Sequence, residues 1–341
     1  MDKFILLNDK DKRAYFEVAA ADLNVMPQLI EKDFWVCWVL KILFSLPSSG
    51  SHLTFKGGTS LSKCYDVIRR FSEDVDVSIE RTFLSSQGSI EPKREESNKE
   101  NQRRLERLQL ACQEKISETI IPELKESIGS VLTDKKEWKV ELDPNDACKQ
   151  TVLFTFPQPM AGSVESYIKS AVKIEFGSRA EHWPVEMMTV DPYIANISKD
   201  VTIEGASVRV LAAERTFWEK ATILHMIYHY PEGKNIMPRM SRHYYDLFAM
   251  LDTAIYEKAL KKIAILKNVS EHKSLFFKAN WAHYEEAKPG SLQLVPRDGQ
   301  KDELKTDYKQ MQQMFFEDPP SFENIVEKLK DVEDKINRIK P

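Results

Sequence analysis

Asp74 and Asp76 stand one residue apart in the segment Asp74-Val75-Asp76-Val77-Ser78-Ile79. Alternate residues of a strand share a face, so both carboxylates point one way while Val75, Val77 and Ile79 point into a core. Two carboxylates side by side repel and raise one another's pKa unless a cation sits between them. Magnesium takes such oxygen ligands together with water and phosphate oxygens, and a metal pair can stabilise both the attacking and the leaving oxygen of a phosphoryl or nucleotidyl transfer. Asp-x-Asp alone is equally an acidic stretch on an exposed strand. The residues before it sharpen the reading. Leu53-Thr54-Phe55-Lys56 has the pattern of a strand, Gly57-Gly58 breaks it, and Thr59-Ser60 open a short helix. Orphan amides and the positive helix end attract anions at such a turn, and the Thr59 and Ser60 hydroxyls can add contacts. This is not a Walker A loop, since GxxxxGK[ST] occurs nowhere in the chain. Gly57, Gly58, Thr59 and Ser60, with the flanking Lys56 and Lys63, are therefore the nucleotide-binding candidates.

A third carboxylate is expected from a neighbouring strand. In Val172-Lys173-Ile174-Glu175-Phe176, Lys173 and Glu175 share one face, which makes Glu175 the candidate for catalysis and metal. Glu141, in Trp138-Lys139-Val140-Glu141-Leu142, is the runner-up, with a solvated strand face as its plain alternative. Further on, Leu211 to Tyr230 carries Glu214, Glu219, Lys220, His225 and His229. A lysine facing a triphosphate neutralises developing charge as a point cation. His225 and His229 have the i, i+4 spacing of helical metal sites, but without HExxH or an evident third ligand they read as packing or phosphate-contact residues. Arg239, Arg242 and His243 precede Tyr244-Tyr245-Asp246; Arg242 joins the nucleotide-binding candidates, and Arg69, Arg70 and Arg239 are candidates for phosphate or RNA backbone contacts. Asp246 fits a stabilising acid at a helix N-terminus and equally a group that orients Lys220 or an incoming hydroxyl.

The elements that must position these groups follow from periodicity. Asp11 to Leu46 reads as helical, most strongly from Pro27, and Pro47 with Ser48-Ser49-Gly50 ends it. Ser85 to Lys93 reads as a loop. Arg94 to Ile128 is highly charged, with Leu105, Leu108, Cys112, Ile116, Ile120 and Leu124 on one stripe: a long amphipathic helix kinked or broken at Pro122, its charge on a solvated face. Trp138–Leu142, Gln150–Phe156, Ile168–Phe176, Met187–Val190 and Val201–Val210 read as strands. Leu211–Tyr230, Arg242–Thr253, Ile255–Leu266, Lys305–Phe316 and Ser321–Asn337 read as helices, with a loop over Pro289–Glu303. The expectation is an α+β chain: residues 1–205 form a catalytic domain with N-terminal helices and a charged helical insert at about 94–128, and residues 206–341 form a mainly helical domain that completes the site.

The chain has 341 residues, 42% of them hydrophobic and 30% charged, and a net charge of −4, so nucleic acid would have to bind a local patch. Four well-separated cysteines without a CxxC pair fit free thiols in a reducing compartment. The amino-terminal residues turn charged at once, unlike a signal peptide, and no apolar run reaches the roughly 20 residues of a membrane span. A cytoplasmic protein is expected.

Taken together, Ile30-Glu31-Lys32-Asp33-Phe34, Lys56-Gly57-Gly58-Thr59-Ser60-Leu61, Phe71-Ser72-Glu73-Asp74-Val75-Asp76, Glu214–Lys220 and Arg242–Asp246 resemble the AbiEii/AbiGii-type nucleotidyltransferase toxins. Phe276-Phe277-Lys278, Trp281, Tyr284, Tyr308, Met311 and Met314 look like the longer members. The resemblance covers most of the chain apart from the insert. It implies a polymerase-beta-like nucleotidyltransferase core, a mixed sheet with flanking helices, plus a helical C-terminal half. It further implies metal (Mg²⁺ or Mn²⁺) at Asp74 and Asp76, functional roles for Lys220 and Asp246, and NTP as substrate. It implies RNA as acceptor, foremost the tRNA 3′ acceptor end, and an antitoxin as partner in a toxin–antitoxin or abortive-infection system against phage. Gly58-Thr59 stands where much of the wider superfamily has Gly-Ser, and the third acid rests on spacing alone. Two other readings remain open from sequence: an enzyme placing NMP or phosphate on a protein hydroxyl, and a non-catalytic nucleotide-binding module.

Overall fold

The computed structural model describes residues 1–72, 74–85, 90–134, 137–157, 171–197 and 203–339. The chain divides into two compact units. The first comprises residues 1–64, 72–91 and 101–210; the second comprises residues 65–71, 92–100 and 211–341.

The first unit opens with helices α1 (Asp2–Ile5), α2 (Asp9–Leu23) and α3 (Pro27–Phe44). The helix expected over Asp11–Leu46 is thus two helices. Asn24 adopts a left-handed conformation (φ 52°) after α2, and Pro27 opens α3 at a position where its missing N–H costs nothing. Nearly every residue of α3 is buried, including Asp33, Trp35 and Trp38, which is why the segment lacks a polar stripe.

Next come β1 (Leu53–Lys56), α4 (Gly57–Lys63), β2 (Asp74–Ile79), α5 (Arg81–Leu84), α6 (Asn98–Lys115), a π-helical turn (Ile116–Ile120) and α7 (Ile121–Gly129). Strands β3 (Lys139–Leu142), β4 (Thr151–Thr155), β5 (Ala171–Gly177), β6 (Val185–Val190) and β7 (Ala206–Leu211) complete one mixed seven-stranded sheet in the order β3-β4-β5-β2-β1-β7-β6. Residues 168–170 and 201–202 of two expected strands lie outside the described residues, as do 86–89 of the expected loop. The stripe Leu105, Leu108, Cys112, Ile116, Ile120 and Leu124 is buried throughout. Pro122 has no N–H for the carbonyl four residues before it, and the helix answers with the π turn just upstream of the proline. On the core face of the sheet, Val75, Val77, Val152, Phe154, Val172, Ile174 and Phe176 are buried. Trp35 and Trp38 of α3 meet Phe154 at ring-centroid distances of 5.9 and 5.8 Å, and Trp35 stacks on Phe156 at 5.4 Å.

The second unit is helical: α8 (Ala213–Tyr228), α9 (Ser241–Leu251), α10 (Ala254–Lys261), α11 (Ala264–Phe276), α12 (Asp298–Gln310) and α13 (Phe322–Asn337). Two expectations are corrected here. The single helix over Ile255–Leu266 is interrupted at Lys262, whose backbone leaves helical geometry and whose ammonium reaches Glu214 at 2.5 Å. The loop over Pro289–Glu303 becomes helical from Asp298, because the Gln300 side chain caps the Arg297 N–H (3.0 Å) and Glu303 accepts from the Ile236 N–H (2.7 Å).

Residues 65–71 are stitched into this second unit. Phe71 N–H donates to Met314 O (2.6 Å), Phe316 N–H to Arg69 O (3.1 Å), Arg69 N–H to the Tyr245 hydroxyl (3.1 Å) and the Tyr65 hydroxyl to Leu211 O (3.1 Å).

Candidate active site

The Gly-Gly turn and the acidic strand meet in the first unit. Gly57 takes φ +81°, where only glycine is at ease, and an added Cβ would lie 2.0 Å from Oδ2 of Asp76. The turn therefore packs its bare backbone against the Asp76 carboxylate. β1 and β2 run antiparallel with Lys56 opposite Asp76. On the other side β2 and β5 run parallel, with Asp74 opposite Lys173 and Asp76 opposite Glu175. Directly opposed residues share a face at about 4.8 Å between strands. One row across that face reads Lys56, Asp76, Glu175, Thr151, and the next reads Asp74, Lys173, Leu153, Glu141.

This register separates the two candidates for a third acid. Glu175 sits on the strand next to β2. Glu141 lies on β3, beyond β5 and β4, roughly 14 Å from Asp74 by strand spacing, and pairs with Lys139 at 2.6 Å. Glu175 itself is not idle: the Lys173 ammonium donates to its carboxylate, with both side chains 40% exposed. Burial draws the Lys173 pKa down, and the Glu175 hydrogen bond and charge, with Asp74 nearby, more than reverse this and raise it. As the side chains stand, no group of three or more His, Cys, Asp or Glu among the described residues is arranged to hold a metal ion. The donor set still suits a hard divalent cation. Asp74 and Asp76 supply carboxylate oxygens on one face, the absent Gly57 side chain leaves Asp76 its place, and Glu175 stands beside it, engaged by Lys173.

Thr59, Ser60 and Lys63 turn inward. Thr59 is 1% exposed; its hydroxyl bonds to Asp74 O and lies 2.9 Å from the Ser72 hydroxyl. Ser60 is fully buried and donates to Gly57 O at 2.9 Å. The Lys63 ammonium donates to Asp33 Oδ1 (2.7 Å) and lies 3.8 Å from the centre of the Tyr193 ring, while Tyr193 N–H donates to Asp33 Oδ2 (2.8 Å). Burial pulls the Lys63 pKa down, and the Asp33 charge and hydrogen bond more than offset it, so the ammonium is held charged. Thr59 fastens α4 to β2 and Lys63 fastens it to α3, while Ser60 closes the first turn of α4 onto Gly57 O.

The second unit assembles the later candidates. Asp246, with no exposed surface, accepts from Lys220 (2.7 Å) and, through both oxygens, from the Arg70 guanidinium (2.8 and 2.8 Å). Burial pushes the Asp246 pKa up, but the Arg70 and Lys220 charges pull it further down, so the carboxylate is firmly ionised. Burial lowers the Lys220 pKa, opposed by Asp246 and reinforced by Arg70. His243 lies 3.3 Å from the Lys220 ammonium through Nδ1; burial, then Lys220 and Arg242, drive its pKa well down, leaving the ring neutral. Of the alternatives for Asp246, the orientation of Lys220 is what the geometry displays. Arg70 is corrected: its fork is spent on Asp246 rather than presented to a nucleic acid. Arg69 pairs with Asp66 (2.9 Å), and Arg242 is half-buried with its charge felt at Lys220 and His243.

His225 accepts from Gln293 N–H through Nδ1 (3.1 Å) and donates from Nε2 to His283 O (3.0 Å), so both ring nitrogens are used in packing. Sequence reasoning missed three partners: Lys173 for Glu175, Asp33 for Lys63 and Arg70 for Asp246. The shared face of Lys173 and Glu175 was the one usable signal. Arg70 and Asp246 are separated by 176 positions, and no spacing rule reaches that far.

A family model described as "Nucleotidyl transferase AbiEii toxin, Type IV TA system" matches residues 38–333, a span that includes both clusters. No curated protein sequence matches the chain. Among solved structures, MenT4, a nucleotidyltransferase toxin from Mycobacterium tuberculosis H37Rv, aligns with a TM-score of 0.35 and 12% identity, covering 87% of this chain and 98% of that one. No helix among the described residues is long and apolar enough to cross a membrane.

Proposed function

Because the chain belongs to the AbiEii family of nucleotidyltransferase toxins of type IV toxin–antitoxin systems, and is on that ground a nucleotidyltransferase, we propose that it transfers a nucleoside monophosphate from an NTP to RNA. The proposed acceptor is the tRNA 3′ end, the proposed metal Mg²⁺ or Mn²⁺, and the proposed setting the cytoplasm during phage defence. The observation that carries the reading is the shared face of Asp74, Asp76 and Glu175 beside the side-chain-free Gly57.

Asp74 and Asp76 would hold the metal, which when bound offsets charge on the phosphate oxygens. Gly57 and Gly58 let the backbone approach the triphosphate, and Lys56 stands in the same row as Asp76. Thr59, Ser60 and Lys63 keep that turn in place from within. Glu175 assists at the acceptor hydroxyl by taking up its proton, as the oxygen bonds to the α-phosphorus and pyrophosphate leaves with the electrons of the broken P–O bond. In the second unit, Lys220, held by Asp246, and Arg242 are the proposed functional cations. The family's type IV setting supplies an antitoxin as partner.

Regulated expression in a bacterial host tests this, with growth followed and tRNA 3′ ends sequenced. Arrest with extended 3′ ends, abolished by Asp74→Ala and Asp76→Ala, is the expected result. Arrest with unmodified tRNA moves the acceptor to another RNA or to a protein.

A further inference from the structure

Lys173 has no place in the roles above, yet it occupies the centre of the acidic face. It stands opposite Asp74 in the β2–β5 register, and its ammonium bonds to Glu175, the residue opposite Asp76. The ammonium engages Oε1 of Glu175, so a metal has to compete with Lys173 for that oxygen or take Oε2 alone. Lys173 thus bonds to Glu175 and has Asp74 nearby, while Lys56, opposite Asp76, is the other cation of this face. On β4 stand Leu153, opposite Lys173, and Thr151, opposite Glu175, and the charge of Asp143, next to Thr151, is also felt at Lys173.

We propose that Lys173 is the resident counterion of this site, holding Glu175 aside and yielding it when a divalent cation binds. Lys173 is then a positioning residue that sets metal affinity, so that the toxin's acidic face is charge-compensated without metal. Once Glu175 turns to the metal, the Lys173 ammonium is released beside Asp74, where a phosphate oxygen of the bound nucleotide is its natural next partner. This inference rests on the metal-dependent reading of Asp74 and Asp76.

The test is Mn²⁺ binding to the full-length protein by electron paramagnetic resonance and calorimetry, without nucleotide, on wild type, Asp76→Asn, Lys173→Met, Lys173→Arg and the pair Lys173→Met/Glu175→Gln. Near-UV circular dichroism confirms that each variant is folded, which is expected because Lys173 is 40% exposed. A half-exposed ion pair is worth at most about the free energy of a fivefold change. Lys173→Met is therefore expected to bind Mn²⁺ about fivefold more tightly, Lys173→Arg to match wild type, and Lys173→Met/Glu175→Gln to lose the gain. Lys173→Met should also show a larger rise in melting temperature on adding Mn²⁺ than wild type does. If wild type binds Mn²⁺ and Asp76→Asn does not, while Lys173→Met binds as wild type does, the role of Lys173 is overturned and the metal site stands. If wild type does not bind Mn²⁺ at all, the metal reading falls, and this inference with it.

Discussion

The carboxylate of Asp76 occupies the space that a side chain on Gly57 would need. The clash distance of 2.0 Å is far inside any real contact, and the left-handed φ of Gly57 adds strain to any other residue. Gly57→Ala must therefore either displace the Asp76 carboxylate or unwind the start of α4. The expected outcome is loss of nucleotidyl transfer by at least about a hundredfold, with destabilisation of about 1–3 kcal/mol, read from turnover and urea unfolding. Activity within about threefold of wild type would show that the close approach has no catalytic consequence.

Asp246 holds two cations in a buried site. Removing one member of such a group leaves uncompensated buried charge at a cost of about 3–5 kcal/mol. Asp246→Asn is expected to destabilise the protein by about that amount, measured by urea unfolding. Lys220→Met should cost less, since Asp246 keeps its two bonds from Arg70, while abolishing transfer. Equal loss of stability in both would mean that Lys220 serves the fold alone.

Lys63 and Asp33 form a second buried pair, between α4 and α3. Lys63→Met should cost about 3–5 kcal/mol, and adding Asp33→Leu should recover part of it, because the unpaired carboxylate is then gone. The double variant's NTP affinity is the informative reading: near wild type if Lys63 only fastens α4, sharply weakened if its ammonium also meets phosphate.

Burial, above all, pushes the His225 pKa down to about 4 in the folded chain, against about 6.5 for a free histidine. Between those values the unfolded chain takes up a proton that the folded one refuses. Stability is thus complete above about pH 6.5 and declines as pH falls toward 4, by about 1.4 kcal/mol per pH unit for this residue. His243 is shifted in the same direction, chiefly by burial. Urea unfolding between pH 7 and 4.5 should show this decline, and His225→Gln should flatten it. A slope unchanged by that substitution would assign the acid sensitivity elsewhere.

The acidic strand was readable from sequence because a period of two in Asp74-Val75-Asp76-Val77 allows one arrangement of faces. The choice between Glu175 and Glu141 was not, since alternation gives a face but not a strand order; only the insertion of β5 beside β2 brings Glu175 next to Asp76. Thr59, Ser60 and Lys63 show the converse difficulty. A polar side chain on a short helix looks the same in sequence whether it meets a ligand or a buried partner, and here Asp74 O, Gly57 O and Asp33 claim them. Helix limits differ at Asn24, Lys262 and Asp298, where a left-handed residue, a lysine with non-helical backbone and a side-chain cap override the apolar period.

The most direct test of the central claim is incubation of wild type and Asp76→Asn with each of the four NTPs, labelled at the α- or γ-phosphate, in the presence of Mg²⁺ and total tRNA. The account predicts α-label on RNA for at least one NTP, no γ-label, and loss of incorporation by about a hundredfold or more in Asp76→Asn. Label on protein, γ-label on any acceptor, or incorporation undiminished in Asp76→Asn would contradict it.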